Sequence, residues 1–307
     1  MPRFSPVNSS LRHCLTVVCV LVGLIAKTFA QVNYSGGAYQ QNFDSLPSSG
    51  ASISWVDSST LPGWYAWRTT PGSPPSTLTL DSGTITSTSV LHNYGSTNST
   101  DRALGLLPGS TPGNVMVGLR LHNNGAVTYH SFTVTYDGEQ WRSASSATHT
   151  LNFACTTDTP ANLNDSSVNW VANGYLTFYS PVLNSNGVAL DGNLATNRAA
   201  NITATIGGIT WAPGAALWLR FTNPNQSPGN QGLALDNFVF SASTNVLDGY
   251  SNVLANFYAE AIGTVAYVDG QLTTGGSSLS VRDLPQTAYI TLALNYQIGR
   301  ASCRERV

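Results

Sequence analysis

Apolar and polar residues alternate along much of the chain, with every second residue apolar. The clearest stretches are 115–121, 131–136, 176–179, 202–206, 217–221 and 233–240. A period of two places the apolar side chains on one face of a β-strand. No sustained helical period interrupts the pattern between residues 31 and 243. The pattern therefore predicts an all-β domain.

Residues typical of tight turns separate these stretches. They are Asn124-Gly125, Asp137-Gly138, Asp191-Gly192, Gly207-Gly208 and Pro213-Gly214. Pairs of this kind connect neighbouring antiparallel strands because glycine and asparagine tolerate the backbone angles that turns require. Many short strands at such spacing predict an antiparallel β-sandwich or jelly roll over residues 31–243.

The first thirty residues predict a secretory signal peptide. Arg3 and Arg12 precede an apolar run over 14–26, and small residues follow at Thr28 and Ala30. The run is shorter than the roughly 20 residues that a bilayer-spanning helix needs. We therefore expect residues 1–30 to be removed and the protein to be secreted, extracellular or at the cell surface.

The sequence pattern changes in the C-terminal part. Residues 244–297 predict the start of a second, truncated β-rich module, with a short helix over 253–262 and a strand over 264–268. Residues 298–307 match a translated sequencing adapter, so we expect them to be dispensable and the sequence beyond 297 to be missing.

Charge and cysteine content narrow the classes of function. The only lysine is Lys27, and residues 31–297 hold seven arginines against fourteen acidic residues, a net charge of −7. Such a chain lacks the basic surface that binds nucleic acid or anionic membranes. Cys155 is the one cysteine of that stretch, and it alternates with Leu151 and Phe153. A buried, unreactive thiol is predicted.

Seven segments together resemble a family of secreted bacterial β-sandwich proteins, many of which end in a PEP-CTERM-type sorting tail. The segments are 42–47, 60–66, 94–105, 136–142, 211–214, 217–221 and 232–238. The resemblance implies a sandwich fold and export, and the family has no established activity. Relatives tend to carry aspartates in the loop 223–231, where this chain has asparagines. No cofactor is predicted, and calcium has only weak support.

Few polar residues are candidates for catalysis or metal binding. The histidines of the mature chain, at 92, 122, 130 and 149, lack zinc-ligand spacing, and no nucleophile elbow or phosphate loop is present. No metal site and no catalytic residue is predicted, so we expect the protein not to be an enzyme.

Charged residues near predicted strands are interpreted as structural ion pairs. Glu139 and Asp236 are the best pair for a glycosidase, but buried carboxylates are most simply paired with arginine. Arg220 and Asp236 are expected to pair across neighbouring strands. A ligand or cation role and a catalytic role stay open as alternatives. The residues concerned are Asp101, Arg102, Glu139, Arg142, Arg220 and Asp236.

Aromatic residues give the best indication of function. Trp55, Trp64, Tyr65 and Trp67 are candidate ligand-binding residues, because exposed rings stack on the faces of sugars. The competing interpretation places these rings in the core. We expect at least one of Trp55, Tyr65 and Trp67 to be exposed.

These observations predict a secreted binding or structural module that interacts with extracellular polysaccharide, matrix or cell surface. Two alternatives remain. One is an accessory domain of an extracellular hydrolase whose catalytic part follows residue 297, and the other is a purely structural coat or matrix protein.

Overall fold

A computed structural model describes residues 31–50, 52–86 and 90–246, together with the backbone of 265–268 and 271–274. Within these ranges no helix has the length and apolar character needed to cross a membrane. The signal peptide predicted over 1–30, the helix predicted over 253–262 and the residues 298–307 predicted to be adapter-derived lie outside the described residues.

The described chain is built from strands and one 3₁₀ turn, Gly174–Leu176. In chain order the strands are β1 Val32–Tyr34, β2 Ala38–Gln41, β3 Ile53–Ser54, β4 Trp64–Arg68, β5 Thr77–Asp81, β6 Leu91–Tyr94, β7 Ala103–Leu106, β8 Val115–Asn123, β9 Ser131–Ser143, β10 Thr150–Thr156, β11 Val171–Ala172, β12 Phe178–Tyr179, β13 Val188–Ala189, β14 Arg198–Ile206, β15 Ala216–Asn223, β16 Gly232–Ser243, β17 Val265–Val268 and β18 Gln271–Thr274. The prediction of an all-β fold is confirmed.

Two sheets form the sandwich. In sheet A, β1 and β4 pair with one edge of β8, followed by β15, β10, and then β11 and β12. In sheet B, β13 and β14 pair with β9, followed by β16, then β2 and β7, then β6, β5 and β3. The described pairs are antiparallel, except that β1 with β8 and β5 with β6 run parallel.

The core lies between the sheets and is rich in aromatic rings. The ring of Phe221 in sheet A lies 5.1 Å from that of Tyr136 and 6.2 Å from that of Phe238, both in sheet B. Cys155 faces this core with Leu151 and Phe153, as the alternation predicted. The apolar face of each strand points inward, because packing against the opposing sheet removes it from water and stabilises the fold.

The structure corrects one predicted turn. Asp137-Gly138 lies inside β9. Next to this dipeptide, the pairing of β9 shifts register with both of its neighbours, β14 and β16. An added Cβ on Gly138 would lie 2.4 Å from Cγ of Phe178. Glycine is therefore required here for close packing beside the bulges in β14 and β16.

Beyond the sandwich, the strand predicted over 264–268 corresponds to β17, which forms an antiparallel hairpin with β18. Whether 244–297 is a separate module stays a prediction.

Candidate functional site

The outer face of sheet A carries a group of aromatic and cationic side chains. Strand alternation points Trp64, Leu119 and Leu217 into the core, so the residues after each of them point outward. Tyr65 on β4 and Trp218 on β15 are therefore on the same outer face, with ring centroids 4.9 Å apart.

These rings belong to a second apolar cluster, separate from the main core. Its buried members are Tyr65, Met116, Leu163 and Trp218, and Trp67, Trp170 and Ala216 pack against it. A cluster of this size on an outer sheet face departs from the usual pattern, in which outward positions are polar. It marks this face as a candidate binding surface.

The loop between β10 and β11 covers part of the cluster and is held by Arg220. The guanidinium of Arg220 lies 4.1 Å from the ring centroid of Trp170, and Nη1 donates to the carbonyl of Leu163 at 2.8 Å. Nε1 of Trp170 in turn donates to the carbonyl of Asp165 at 2.9 Å. Leu163 packs above Gly118, where an added Cβ would lie 2.5 Å from Cδ2 of Leu163.

A groove of about 540 Å³ runs beside this loop. One wall is formed by residues 56–59 with Pro74, the other by residues 159–163, and the rings of β4 and β15 form the floor. We call this site the aromatic groove. Its lining residues are Val56, Asp57, Ser58, Ser59, Tyr65, Ala66, Trp67, Pro74, Arg120, Thr159, Pro160, Ala161, Asn162, Leu163 and Trp218.

The four predicted ligand-binding aromatics divide into two groups. Trp55 and Trp64 are buried in the main core, where their indole nitrogens donate to Asp57 at 2.7 Å and to the hydroxyl of Tyr39 at 3.0 Å. Tyr65 and Trp67 line the aromatic groove. Tyr65 is 7% exposed and Trp67 is half-buried, so none of Trp55, Tyr65 and Trp67 is fully exposed, contrary to the expectation, and Trp67 offers the most surface.

Sequence reasoning did not assign Trp218, Arg120 and Trp170 to this site. The alternation over 217–221 places Trp218 and Arg220 opposite to the core residues of β15, and this signal could have found them. Trp170 lies in a loop, and its place follows from a contact with Arg220 that is distant in sequence.

The expected pair between Arg220 and Asp236 is wrong. Arg220 lies in sheet A and Asp236 in sheet B. The register of β16 shifts after Asp236, where Asn237 has a φ of 49°. This bulge puts Leu235 and Phe238 on the core face and Asp236 on the outer face, so Asp236 does not share a face with Phe238 as the simple alternation implied.

The other expected ion pairs are also replaced by hydrogen bonds to neutral groups. Nε of Arg102 donates to Oδ1 of Asn93 at 2.7 Å, and burial lowers the pKa of this arginine. Arg142 donates to the carbonyls of Gly83 and Gly187 at 3.0 and 3.1 Å.

Asp101 is exposed, although partial desolvation raises its pKa, with a smaller contribution from Asp44. Among the described residues, Nδ1 of His92 lies 3.0 Å from Oδ2 of Asp81, and Nη1 of Arg198 lies 4.0 Å from Oδ2 of Asp137.

Glu139 and Asp236 form a buried carboxyl pair on the outer face of sheet B. Glu139 pairs with Ala234 in the ladder, so Asp236, two residues further on, is its diagonal neighbour. Glu139 is 1% exposed and accepts a hydrogen bond from Nε1 of Trp141 at 2.7 Å, while Asp236 is 2% exposed. Burial raises the pKa of Glu139 to about 7 and that of Asp236 to about 8. Carboxyls this inaccessible cannot contact a substrate.

Within the residues that the structure describes, no three histidine, cysteine, aspartate or glutamate side chains are grouped closely enough to hold a metal ion.

No protein-family model and no curated protein matches this chain. Among solved structures, it is similar to the K1 cleaved adhesin domain of Lys-gingipain from Porphyromonas gingivalis W83, with 14% identity, a TM-score of 0.31, and 68% of this chain and 99% of that chain covered. A structure described as CBM4 has 16% identity, a TM-score of 0.29 and coverages of 59% and 95%. TmCBM61 in complex with β-1,4-galactotriose has 10% identity, a TM-score of 0.24 and coverages of 47% and 72%. Values this low carry no functional argument, so function is argued from the residues of this chain.

Proposed function

We propose that this chain is a secreted module that binds extracellular polysaccharide in the aromatic groove. The observation that carries the proposal is the combination of a groove of about 540 Å³ with a floor of aromatic rings on the outer face of a sheet. Sugar rings present apolar C–H faces that stack on aromatic side chains, and their hydroxyls bond to nearby polar groups.

The polar residues of the groove fit this role. Ser59 and Thr159 are exposed and Asn162 is half-buried, and each has a side chain that can donate to and accept from hydroxyl groups. They lie on the two walls, while Trp67 offers its ring from β4. A ligand in the groove would therefore meet a ring on one side and hydrogen-bonding groups at the rims.

Binding is favoured over hydrolysis by the position of the carboxyl groups. Glu139 and Asp236, the candidate catalytic pair, lie in sheet B and are almost completely buried. Among the described residues that line the groove, Asp57 is the only carboxylate, and a glycosidase of the usual kind needs two. A role as the accessory domain of a hydrolase would use the same groove.

The test is binding of soluble polysaccharides by the full chain, measured by retardation in native gels and by titration calorimetry. We expect millimolar to micromolar affinity, because a short row of stacked sugars only slightly exceeds the cost of association. Trp67→Ala should weaken binding at least about tenfold with a small change in melting temperature, because the ring is half-buried.

Tyr179→Ala is the matched control, since this tyrosine is 59% exposed and does not line the groove. It should leave the affinity unchanged. The proposal is wrong if no polysaccharide binds, or if the control weakens binding as much as Trp67→Ala does. Tyr65 is unsuitable as a probe, because its burial means that truncation would also destabilise the fold.

A further inference from the structure

Two residues that line the aromatic groove carry charge, and their charges are opposite. Asp57 lies in the wall formed by 56–59, and Arg120 lies in the floor on β8. The other lining residues are neutral. The groove itself therefore has no net charge with which to attract an ionic ligand.

Both charges are also engaged by the protein. Oδ1 of Asp57 accepts hydrogen bonds from Nε1 of Trp55 at 2.7 Å and from the backbone N–H of Ala66 at 2.9 Å. The guanidinium carbon of Arg120 lies 5.6 Å from the ring centroid of Trp218, and Arg120 also hydrogen-bonds to Tyr65. Charged groups held in this way fix the walls and floor in place.

The nearby Arg220 does not add a cationic site. Its guanidinium stacks on Trp170 and donates to the carbonyl of Leu163, so it holds the loop from behind the groove wall. Over residues 31–297 the chain has seven arginines against fourteen acidic residues, so its overall charge does not favour a polyanion. Among the described lining residues of the groove, a polyanion would find no uncompensated cation.

We infer that the aromatic groove is selective for an uncharged glycan. This inference rests on the proposed function and specifies its ligand class. Recognition comes from stacking on Trp67 and from hydroxyl hydrogen bonds to Ser59, Thr159 and Asn162, because none of these contacts requires a charge on the sugar.

The experiment compares neutral polysaccharides (laminarin, β-1,4-galactan and glucomannan) with anionic ones (alginate and polygalacturonate) at 20 and 500 mM NaCl. Retardation of the full chain and of its Trp67→Ala variant is measured for each. We expect at least one neutral polysaccharide to retard the full chain and to lose this effect with Trp67→Ala. Its affinity should change less than about twofold between the two salt concentrations, because screening acts on charges.

The outcomes separate the inference from the proposal on which it rests. Retardation by anionic polysaccharides alone, or by both classes equally, overturns the inference and leaves glycan binding standing. A fall in neutral-glycan affinity of about tenfold at 500 mM NaCl also overturns it. If none of the polysaccharides retards the chain at either salt concentration, the proposed function fails and the inference fails with it.

Discussion

Asp236→Asn should remove much of the effect of pH on the stability of the sandwich. Burial raises the pKa of Asp236 from 3.8 to about 8, with a further contribution from the charge of Glu139. In the unfolded chain the pKa returns to its ordinary value. The folded state then binds more protons than the unfolded state between about pH 4 and pH 8. The free energy of unfolding therefore falls as pH rises through this window.

The change in the free energy of unfolding follows from the difference between the folded and unfolded pKa values of Asp236. About four pKa units correspond to a loss on the order of 5 kcal/mol between pH 4 and pH 9. Asparagine is uncharged at every pH and removes this loss. Its Nδ2 would take the place of Oδ1 of Asp236, for which the described residues offer no hydrogen-bond partner. An unpaired buried amide costs about 1–3 kcal/mol.

Relative to the parent chain, Asp236→Asn should therefore gain about 4 kcal/mol of stability between pH 5 and pH 9, and it should be the more stable protein at pH 9 by roughly 2–4 kcal/mol. Urea unfolding of the full chain, followed by tryptophan fluorescence at pH 5, 7 and 9, gives both free energies. Glu139 titrates in both proteins, so its effect largely cancels in the difference.

Asp158→Asn is the control, because it removes one negative charge from an exposed position. Its stability should follow the parent curve at all three pH values. The reasoning is refuted if Asp236→Asn is less stable than the parent by the same amount at pH 5 and at pH 9, since Asp236 would then carry the same charge in both folded and unfolded states.

Three further predictions concern packing around the groove and in the core. Arg220→Met should increase hydrogen exchange of amides 159–163 severalfold and weaken glycan binding, because it removes the donor to Leu163; Arg198→Met, in sheet B, should do neither. Gly118→Ala should lower the free energy of unfolding in urea by about 1–3 kcal/mol, since its Cβ would lie 2.7 Å from the carbonyl oxygen of Leu219; an unchanged value would contradict the packing described. The peptide containing Cys155 should stay unlabelled by iodoacetamide at pH 8 until urea is added, because burial raises the pKa of the thiol to about 12; labelling without urea would show an accessible thiolate.

Local alternation was sufficient to predict β8, β9, β14, β15 and β16, but in the stretch 176–179 Leu176 ends a 3₁₀ turn and only Phe178–Tyr179 is a strand. The stretches 115–121 and 217–221 lie in β8 and β15, with their apolar residues facing the core. Cys155 was placed correctly for the same reason. A period of two identifies the residues on one strand face, because successive side chains of a strand point to opposite faces of the sheet.

Bulges limited what alternation could predict. Asp137-Gly138 fits a turn by composition but lies inside β9 beside bulges in β14 and β16, and Phe178 occupies the space above the glycine. In β16, the register shift after Asp236 changes which residues face the core. Alternation without this shift places Asp236 on the core face, and for that reason the sequence predicted a pair with Arg220. Contacts between distant segments decide both features, so neighbouring residues do not reveal them.

The position of β16 bears on the order in which the molecule can assemble. This strand lies between β9 on one side and β2 and β7 on the other, and its partners in β2 are about 200 residues earlier in the chain. Before β16 is present, the two halves of sheet B have no strand to join them. The floor of the groove is also incomplete without β15, which supplies Trp218. Because these late strands close long loops, sheet B and the floor of the groove cannot be completed until residues 216–243 have been synthesised.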